Sequence, residues 1–265
     1  MTATTPIGGS HEHLLQLSGL EIRRSGGARP ILRDVDLVAE PGTATGLCGR
    51  SGSGKSTLLH AVSGLVPWLQ PAEVRGRITL GGEDLSELDP GQRSHLLGTC
   101  LDRPEAQLFL ATVEHELAAA RRMYGDSDSL QRAISALAVE PLRRLRIAEL
   151  SSGQRQRVAL AVSIGAAPRP VLLDEPTAHL DEGGVDALDE LLFGLAAEGA
   201  TTLVAEQAGW RLGKSLVSWS AVDEGLLTTH GAMRPAALPE PAPHSADVVL
   251  GAEDLTIQRN GKKIL

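Results

Sequence analysis

The stretch Gly49-Arg50-Ser51-Gly52-Ser53-Gly54-Lys55-Ser56-Thr57 decides the reading of this chain. It fits the pattern G-x-x-x-x-G-K-[ST]; residues 43–48 before it read as a strand, and Leu58, Leu59, Val62 and Leu65 after it fall at helical spacing. A strand that delivers a glycine-rich loop to a helix N-terminus lets backbone N–H groups wrap a nucleotide's β-phosphate. The helix dipole adds partial positive charge there. Lys55 is placed to reach the β- and γ-phosphates, and the Ser56 hydroxyl to ligate Mg²⁺. A glycine-rich turn that merely carries a lysine is the plain alternative, and the flanking strand and helix argue against it. The loop implies a nucleoside triphosphate as ligand.

Composition bounds what surrounds the loop. A chain of 265 residues with 42% hydrophobic content can bury one full core with length to spare. Lys+Arg 25 against Asp+Glu 33 leaves a net charge of -8, which argues against a nucleic-acid binder. No apolar run approaches the roughly 18 residues of a membrane helix, and residues 1–10 lack a signal-peptide pattern. Cys48 and Cys100 fit no metal spacing and read as cytosolic thiols. The expectation is a cytoplasmic protein.

Along the chain, residues 17–22, 31–38 and 75–80 read as short strands, with a Gly-rich turn at 25–28 and another at Gly81-Gly82. Between about 84 and 150 the pattern is helical, clearest at 112–122 and 129–137. Strand signals return at 171–173 and 201–205. Short strands bracketing a strand–loop–helix unit predict an α/β core with a helical insertion. Trp210 and Trp219 read as packing residues, and His179 as a solvated loop histidine.

Two further segments handle phosphate chemistry. Leu150-Ser151-Ser152-Gly153-Gln154 opens a helix whose Val158, Ala161, Val162 and Gly165 share a face. Ser151 and Gln154 spell a capping box, and a helix start of Ser and Gly is also an anion site; both readings hold together. Val171-Leu172-Leu173-Asp174-Glu175-Pro176-Thr177 is an apolar strand ending in two acids. Asp174 suits a Mg²⁺ contact, and Glu175 a general base for the attacking water. A solvated strand end is the bland alternative, and the phosphate loop favours the functional one.

In order and spacing, the loop, Leu150-Ser151-Ser152-Gly153-Gln154, Leu172-Leu173-Asp174-Glu175-Pro176-Thr177 and Ala178-His179-Leu180-Asp181 resemble the ATP-binding cassette (ABC) ATPases over about residues 14–225. The resemblance implies a P-loop NTPase core with an antiparallel β subdomain and a helical signature subdomain, and ATP and Mg²⁺ as cofactors. It also implies two cassettes docked head to tail, so that Ser151, Ser152, Gly153 and Gln154 meet the ATP held by the partner and Asp181 lies at the seam. Ser152 stands where the family has glycine. Arg103-Pro104-Glu105-Ala106-Gln107-Leu108-Phe109, followed by Thr112-Val113 and Glu116-Leu117, is similar to the energy-coupling-factor, or cobalt-type, importers of vitamins and metal ions. Those systems imply a peripheral subunit on the cytoplasmic face of the membrane, bound to a separate transmembrane partner.

Three positions depart from the family. Asp102 replaces the glutamine that reaches Mg²⁺ and the lytic water; it either binds the metal or is repelled by the triphosphate. Gln207 replaces the switch histidine, keeping a donor but no charge. Arg24 replaces the aromatic platform for adenine, where a guanidinium plane can still stack. These changes raise a weakly hydrolysing or regulatory half as the alternative to an ATPase that powers transport. A soluble cassette acting on ribosomes or DNA fits less well.

The expected organisation is a flexible segment 1–13, a cassette 14–228, a Pro/Ala-rich linker 229–248 and the start of a second cassette at 249–265. The last rests on Asp254-Leu255-Thr256-Ile257-Gln258-Arg259 and a turn at Asn260-Gly261, which echo residues 19–24 and the turn that follows them.

Overall fold

The computed structural model describes residues 13–68, 71–167, 169–207, 211–230, 258–259 and 262–263. Two sheets organise the larger unit, residues 1–235. Strands β1 (Leu15–Arg24), β2 (Leu32–Ala39), β4 (Ala72–Leu80) and β5 (Glu83–Asp84) form an antiparallel sheet of order β2-β1-β4-β5. In β2, buried Leu32, Val35, Leu37 and Ala39 are separated by exposed Arg33, Asp34, Asp36 and Val38, the signature of a sheet with one wet face.

The second sheet has the order β10-β9-β3-β8-β7-β6. It contains β3 (Ala44–Cys48), β6 (Gly98–Cys100), β7 (Val171–Asp174), β8 (Thr202–Glu206), β9 (Leu216–Asp223) and β10 (Leu226–His230). All neighbours run parallel except β10 against β9. This sheet is covered on both faces, and the register shows how. Leu172 pairs with Leu203 and both join the core under α1 (Lys55–Val62), whereas Leu173 pairs with Val204 and both join the opposite core. A parallel strand buried on both faces reads as a continuous apolar run, which is why 171–173 was legible without alternation.

The remaining helices are the short α2 (Leu65–Trp68) and α3 (Pro90–Ser94), then α4 (Val113–Tyr124), α5 (Asp128–Ala136), α6 (Ser152–Ile164) and α7 (Glu182–Ala197). Thr112 and Ser127 cap α4 and α5 by accepting from His115 and Leu130 N–H. The expected α/β fold with an antiparallel sheet and helices is present. One correction concerns the stretch read as helical, which contains the strand β6. Three residues are too short to carry a period, and the cause is tertiary: a Cβ on Gly98 would lie 2.2 Å from Ser163 O, so the strand runs directly beneath α6. Helix α6 is also buried on more than the expected face, with Gln156, Ala159, Leu160 and Ser163 inside besides Val158 and Ala161. Trp219 packs in the core as expected, its ring against Gly46, and Trp210 lies outside the described residues.

In the smaller unit, residues 236–265, β11 (Gln258–Arg259) pairs antiparallel with β12 (Lys262–Lys263). The pairs bracket positions 260–261, where the sequence places a turn. Thr229 and His230, placed in the linker by composition, instead pair with β9 as the end of β10; the rest of the expected linker and second cassette lies outside the described residues.

Candidate functional site

The parallel strands β3, β7 and β8 end together, and carboxyl ends of such strands are where open α/β sheets bind ligands. From β3 the chain enters the loop at Gly49. A side chain there would put Cβ 2.3 Å from Val222 O, and Gly54 turns into α1 at φ 112, a conformation that favours glycine. Arg50, Ser51 and Gly52 are exposed at the loop's tip, and Ser53, Gly54 and Lys55 are buried at its base. The Lys55 ammonium donates to Gly49 O at 2.7 Å and Arg50 O at 3.1 Å, so it lies across the inside of the loop. Burial lowers its pKa, and the carboxylates of Glu175 and Asp174 oppose that shift. Thr57, a half-buried neighbour in the first turn of α1, completes the motif.

Alternation along β7 places Asp174 on the Leu172 side, the side that α1 covers. There the Ser56 hydroxyl donates to Asp174 Oδ1 at 3.1 Å. Asp174 is 1% exposed, and its other oxygen, Oδ2, is buried with no hydrogen-bond partner. Burial pushes the Asp174 pKa up to about 6, the charges of Asp102 and Glu175 add to the shift, and the Ser56 hydroxyl opposes it. The Ser53 hydroxyl is a second buried, unpartnered polar atom in the loop. Buried oxygens without partners fit a hard cation and phosphate oxygens, so Ser56 and Asp174 suit Mg²⁺ chemically.

Glu175 follows at φ 46, a left-handed conformation uncommon for a residue with a side chain. Its N–H donates to Ala205 O at 2.8 Å, and its carboxylate accepts from Gln207 Nε2 at 2.8 Å. Glu175 and Gln207, separated by 31 residues in sequence, are thus directly joined. Asp102 is exposed two residues past the end of β6 and couples electrostatically to Asp174 and His60 without a hydrogen bond to either. Arg24 is exposed at the end of β1, paired with Ala72 of β4. It shares no hydrogen bond with Lys55, with the Ser56–Asp174 pair or with the Glu175–Gln207 pair.

At the signature segment, the capping box forms. Ser151 Oγ accepts from Gln154 N–H at 3.2 Å and Gln154 Oε1 accepts from Ser151 N–H at 2.9 Å. Ser151 and Ser152 are exposed, and Gly153 is half-buried because its backbone meets His179 O, where a Cβ would stand at 2.8 Å. Asp181 caps α7 by accepting from Gly184 N–H and faces Arg157 of α6 at 3.9 Å. His179 is exposed, as expected. The segment after Glu175 is therefore packed against the start of α6.

Sequence reasoning missed the residues that hold these parts in place. Gln156 of α6 donates to Pro176 O, Glu206 accepts from Thr177 N–H, and Arg211 donates to Thr177 O and Oγ1. Gln107, within the 103–109 segment, accepts from Leu101 N–H at 2.8 Å and so fixes the backbone beside Asp102. Buried Glu206 at the end of an apolar strand was the one visible signal, since a carboxylate there needs a partner.

A glycine-rich loop between strand and helix, with a buried carboxylate on the next strand but one, defines a P-loop nucleotide-binding cassette. Residues 32–178 match the family described as ABC transporter. The chain is 34% identical to an ABC transporter ATP-binding protein of Streptomyces avermitilis over 73% of this chain and 36% of that protein. It is 30% identical to one of Treponema denticola over 73% of this chain and 40% of that protein. Among solved structures, cbiO1 from Clostridium perfringens, described as part of the ABC transporter complex cbiONQ, superposes with TM-score 0.67. It is 26% identical over 83% of this chain and 89% of that one. The structure of an ATP binding subunit of an ABC transporter has TM-score 0.70 at 24% identity over 82% of this chain and 90% of that one, and shares the fold. The chain belongs to the ABC transporter family and is an ATP-binding domain of the ABC ATPase type. It spans 36% to 40% of the length of those two curated relatives. Among the described residues no helix is long and apolar enough to cross a membrane.

Proposed function

We propose that this domain binds ATP with Mg²⁺ in the loop 49–57 and hydrolyses it to drive a separate transmembrane subunit. The observation that carries the reading is the Ser56–Asp174 hydrogen bond with Asp174 Oδ2 left buried and unpartnered, beside the Gln207–Glu175 pair. Ser56 and Asp174 would hold Mg²⁺, which supplies charge neutralisation of the triphosphate. Lys55 turns its ammonium from the loop carbonyls to the β- and γ-phosphates. Glu175 accepts the proton of the attacking water as ADP departs, and Gln207, already bound to Glu175, orients that carboxylate and donates to a γ-phosphate oxygen. Arg24 would stack on the base, and Asp102, exposed past the end of β6, would either hold the metal or be repelled by the triphosphate. Ser151, Ser152, Gly153 and Gln154 complete the site of a second cassette, with Asp181 at the seam. That cassette is fused, its start at 249–265, or separate.

The segment 103–109 and the likeness to cbiO1 support the energy-coupling-factor group, with a vitamin or metal ion as cargo and a position peripheral to the cytoplasmic membrane face. A weakly hydrolysing, regulatory half is the second reading, favoured by the exposed carboxylate of Asp102 near Asp174. Co-expression of the full-length protein with its transmembrane partner tests both. Partner capture with Mg²⁺-dependent ATP hydrolysis supports the first reading. Partner capture with tight ATP binding and no hydrolysis supports the second, and absence of ATP binding contradicts both.

A further inference from the structure

Three consecutive residues at the end of β8 each bond the turn that follows β7. Ala205 O accepts from Glu175 N–H at 2.8 Å, Glu206 Oε1 from Thr177 N–H at 3.1 Å, and Gln207 Nε2 donates to Glu175 Oε1 at 2.8 Å. From the other side Arg211 donates to Thr177 O at 3.2 Å and Thr177 Oγ1 at 3.3 Å, and Gln156 to Pro176 O at 3.2 Å. Thr177 is 1% exposed and Glu206 5%. In register, Glu206 also pairs with Cys48, the residue before the phosphate loop.

This arrangement surrounds a backbone that resists its own conformation. Glu175 sits at φ 46, a strained conformation for a residue with a Cβ that persists only where neighbours over-determine it. The bonds at Glu175 N–H, Pro176 O and Thr177 N–H are those neighbours. Burying a carboxylate is itself costly, so an apolar residue at position 206 would suit a purely structural strand end better. What the carboxylate adds is an acceptor with enough reach to hold the Thr177 amide.

We propose that Glu206 is a positioning residue for Glu175. Its carboxylate fixes the Thr177 amide, with Arg211 on the carbonyl side, and so holds the strained turn that aims the Glu175 side chain. The inference rests on the reading of Glu175 as the general base. It links the base to the strand that carries the phosphate loop, since Glu206 belongs to both contacts.

The test is single-turnover ATP hydrolysis and ATP affinity in the full-length protein, comparing the parent with E206Q, E206D, E206A and E175Q. Gln keeps the reach and acceptor oxygen without the charge, whereas Asp keeps the charge and loses about one methylene of reach. Misplacing a reacting group by about 1 Å costs on the order of 100-fold. E206A and E206D are therefore expected to lose hydrolysis by roughly that factor with ATP affinity within about twofold of the parent, and E206Q to stay within a few-fold in rate. Hydrogen exchange across residues 175–181 should speed up in E206A and E206D and stay near parental in E206Q. Parental rates in both E206D and E206A overturn the inference, as does a loss in E206Q equal to that in E206D. If E175Q hydrolyses ATP at the parental rate, the base reading itself fails, and the inference with it. If E175Q is inactive while E206D and E206A match the parent, the inference alone fails.

Discussion

The side-chain amide of Gln207 donates to the carboxylate of Glu175 at 2.8 Å, joining the ends of β8 and β7 at the mouth of the phosphate loop. The amide donates to one carboxylate oxygen and leaves the other oxygen to accept a proton. Gln207→Ala removes this orienting bond and, in the proposed mechanism, a donor toward the γ-phosphate. Loss of one transition-state donor lowers kcat roughly 100- to 1000-fold. The expected outcome is a fall of at least 100-fold in single-turnover hydrolysis with ATP affinity nearly unchanged, read by rapid quench and equilibrium binding.

Asp174 holds its charge at a cost to the fold. Its folded-state pKa of about 6 lies above the ordinary aspartate value of 3.8, so the folded protein binds the proton more tightly than the unfolded chain. Stability from this group is therefore highest at low pH and falls as pH rises between those two values. Above them the ionised carboxylate costs up to about 3 kcal/mol. Asp174→Asn keeps an acceptor for Ser56 and removes the charge. At pH 7.5 without nucleotide or metal it should melt a few degrees higher than the parent, with the gap closing below pH 5. Calorimetry across pH measures this, and the same variant should lose Mg²⁺-dependent ATP hydrolysis.

Asp102 adds negative charge near Asp174, at a position where the family resemblance implies a glutamine. Asp102→Gln removes that repulsion and restores a donor. Mg²⁺ affinity measured at a fixed nucleotide concentration, together with the hydrolysis rate, should rise several-fold. A fall in both would show that the Asp102 carboxylate serves as a metal ligand.

Gly153 lies against His179 O, where a Cβ would stand at 2.8 Å. Gly153→Ala forces the start of α6 away from the segment after Glu175. Overpacking of this kind costs about 1–3 kcal/mol. A lower melting temperature and reduced hydrolysis are expected, with ATP binding to the chain's own loop retained, because Gly153 lies on a different element from Lys55.

The elements with a local signature were legible: the loop by its glycines and lysine, α4 and α5 by their period, β7 by an unbroken apolar run. Strand β6 was not, because its three residues are defined by α6 pressing on Gly98. Strands β9 and β10 were not assigned either, as Leu216–Asp223 mixes Ser218 and Ser220 with apolar residues and takes its place from pairing with β3. Within the site, Ser56 and Asp174 could be named by residue type, and alternation along β7 explains why they meet. Glu206 carried only the signal of an acid at the end of an apolar strand, and Arg211 and Gln156 carried none, since the importance of all three lies in reaching one turn from separate places in the sequence.

In the proposed mechanism Glu175 takes the proton from water at a site built on the loop 49–57. Single-turnover hydrolysis of ATP by Glu175→Gln in the full-length protein tests it most directly. Parental ATP binding with hydrolysis reduced by roughly 100-fold or more is the expected result. Hydrolysis at the parental rate, with ATP bound equally well, would contradict it.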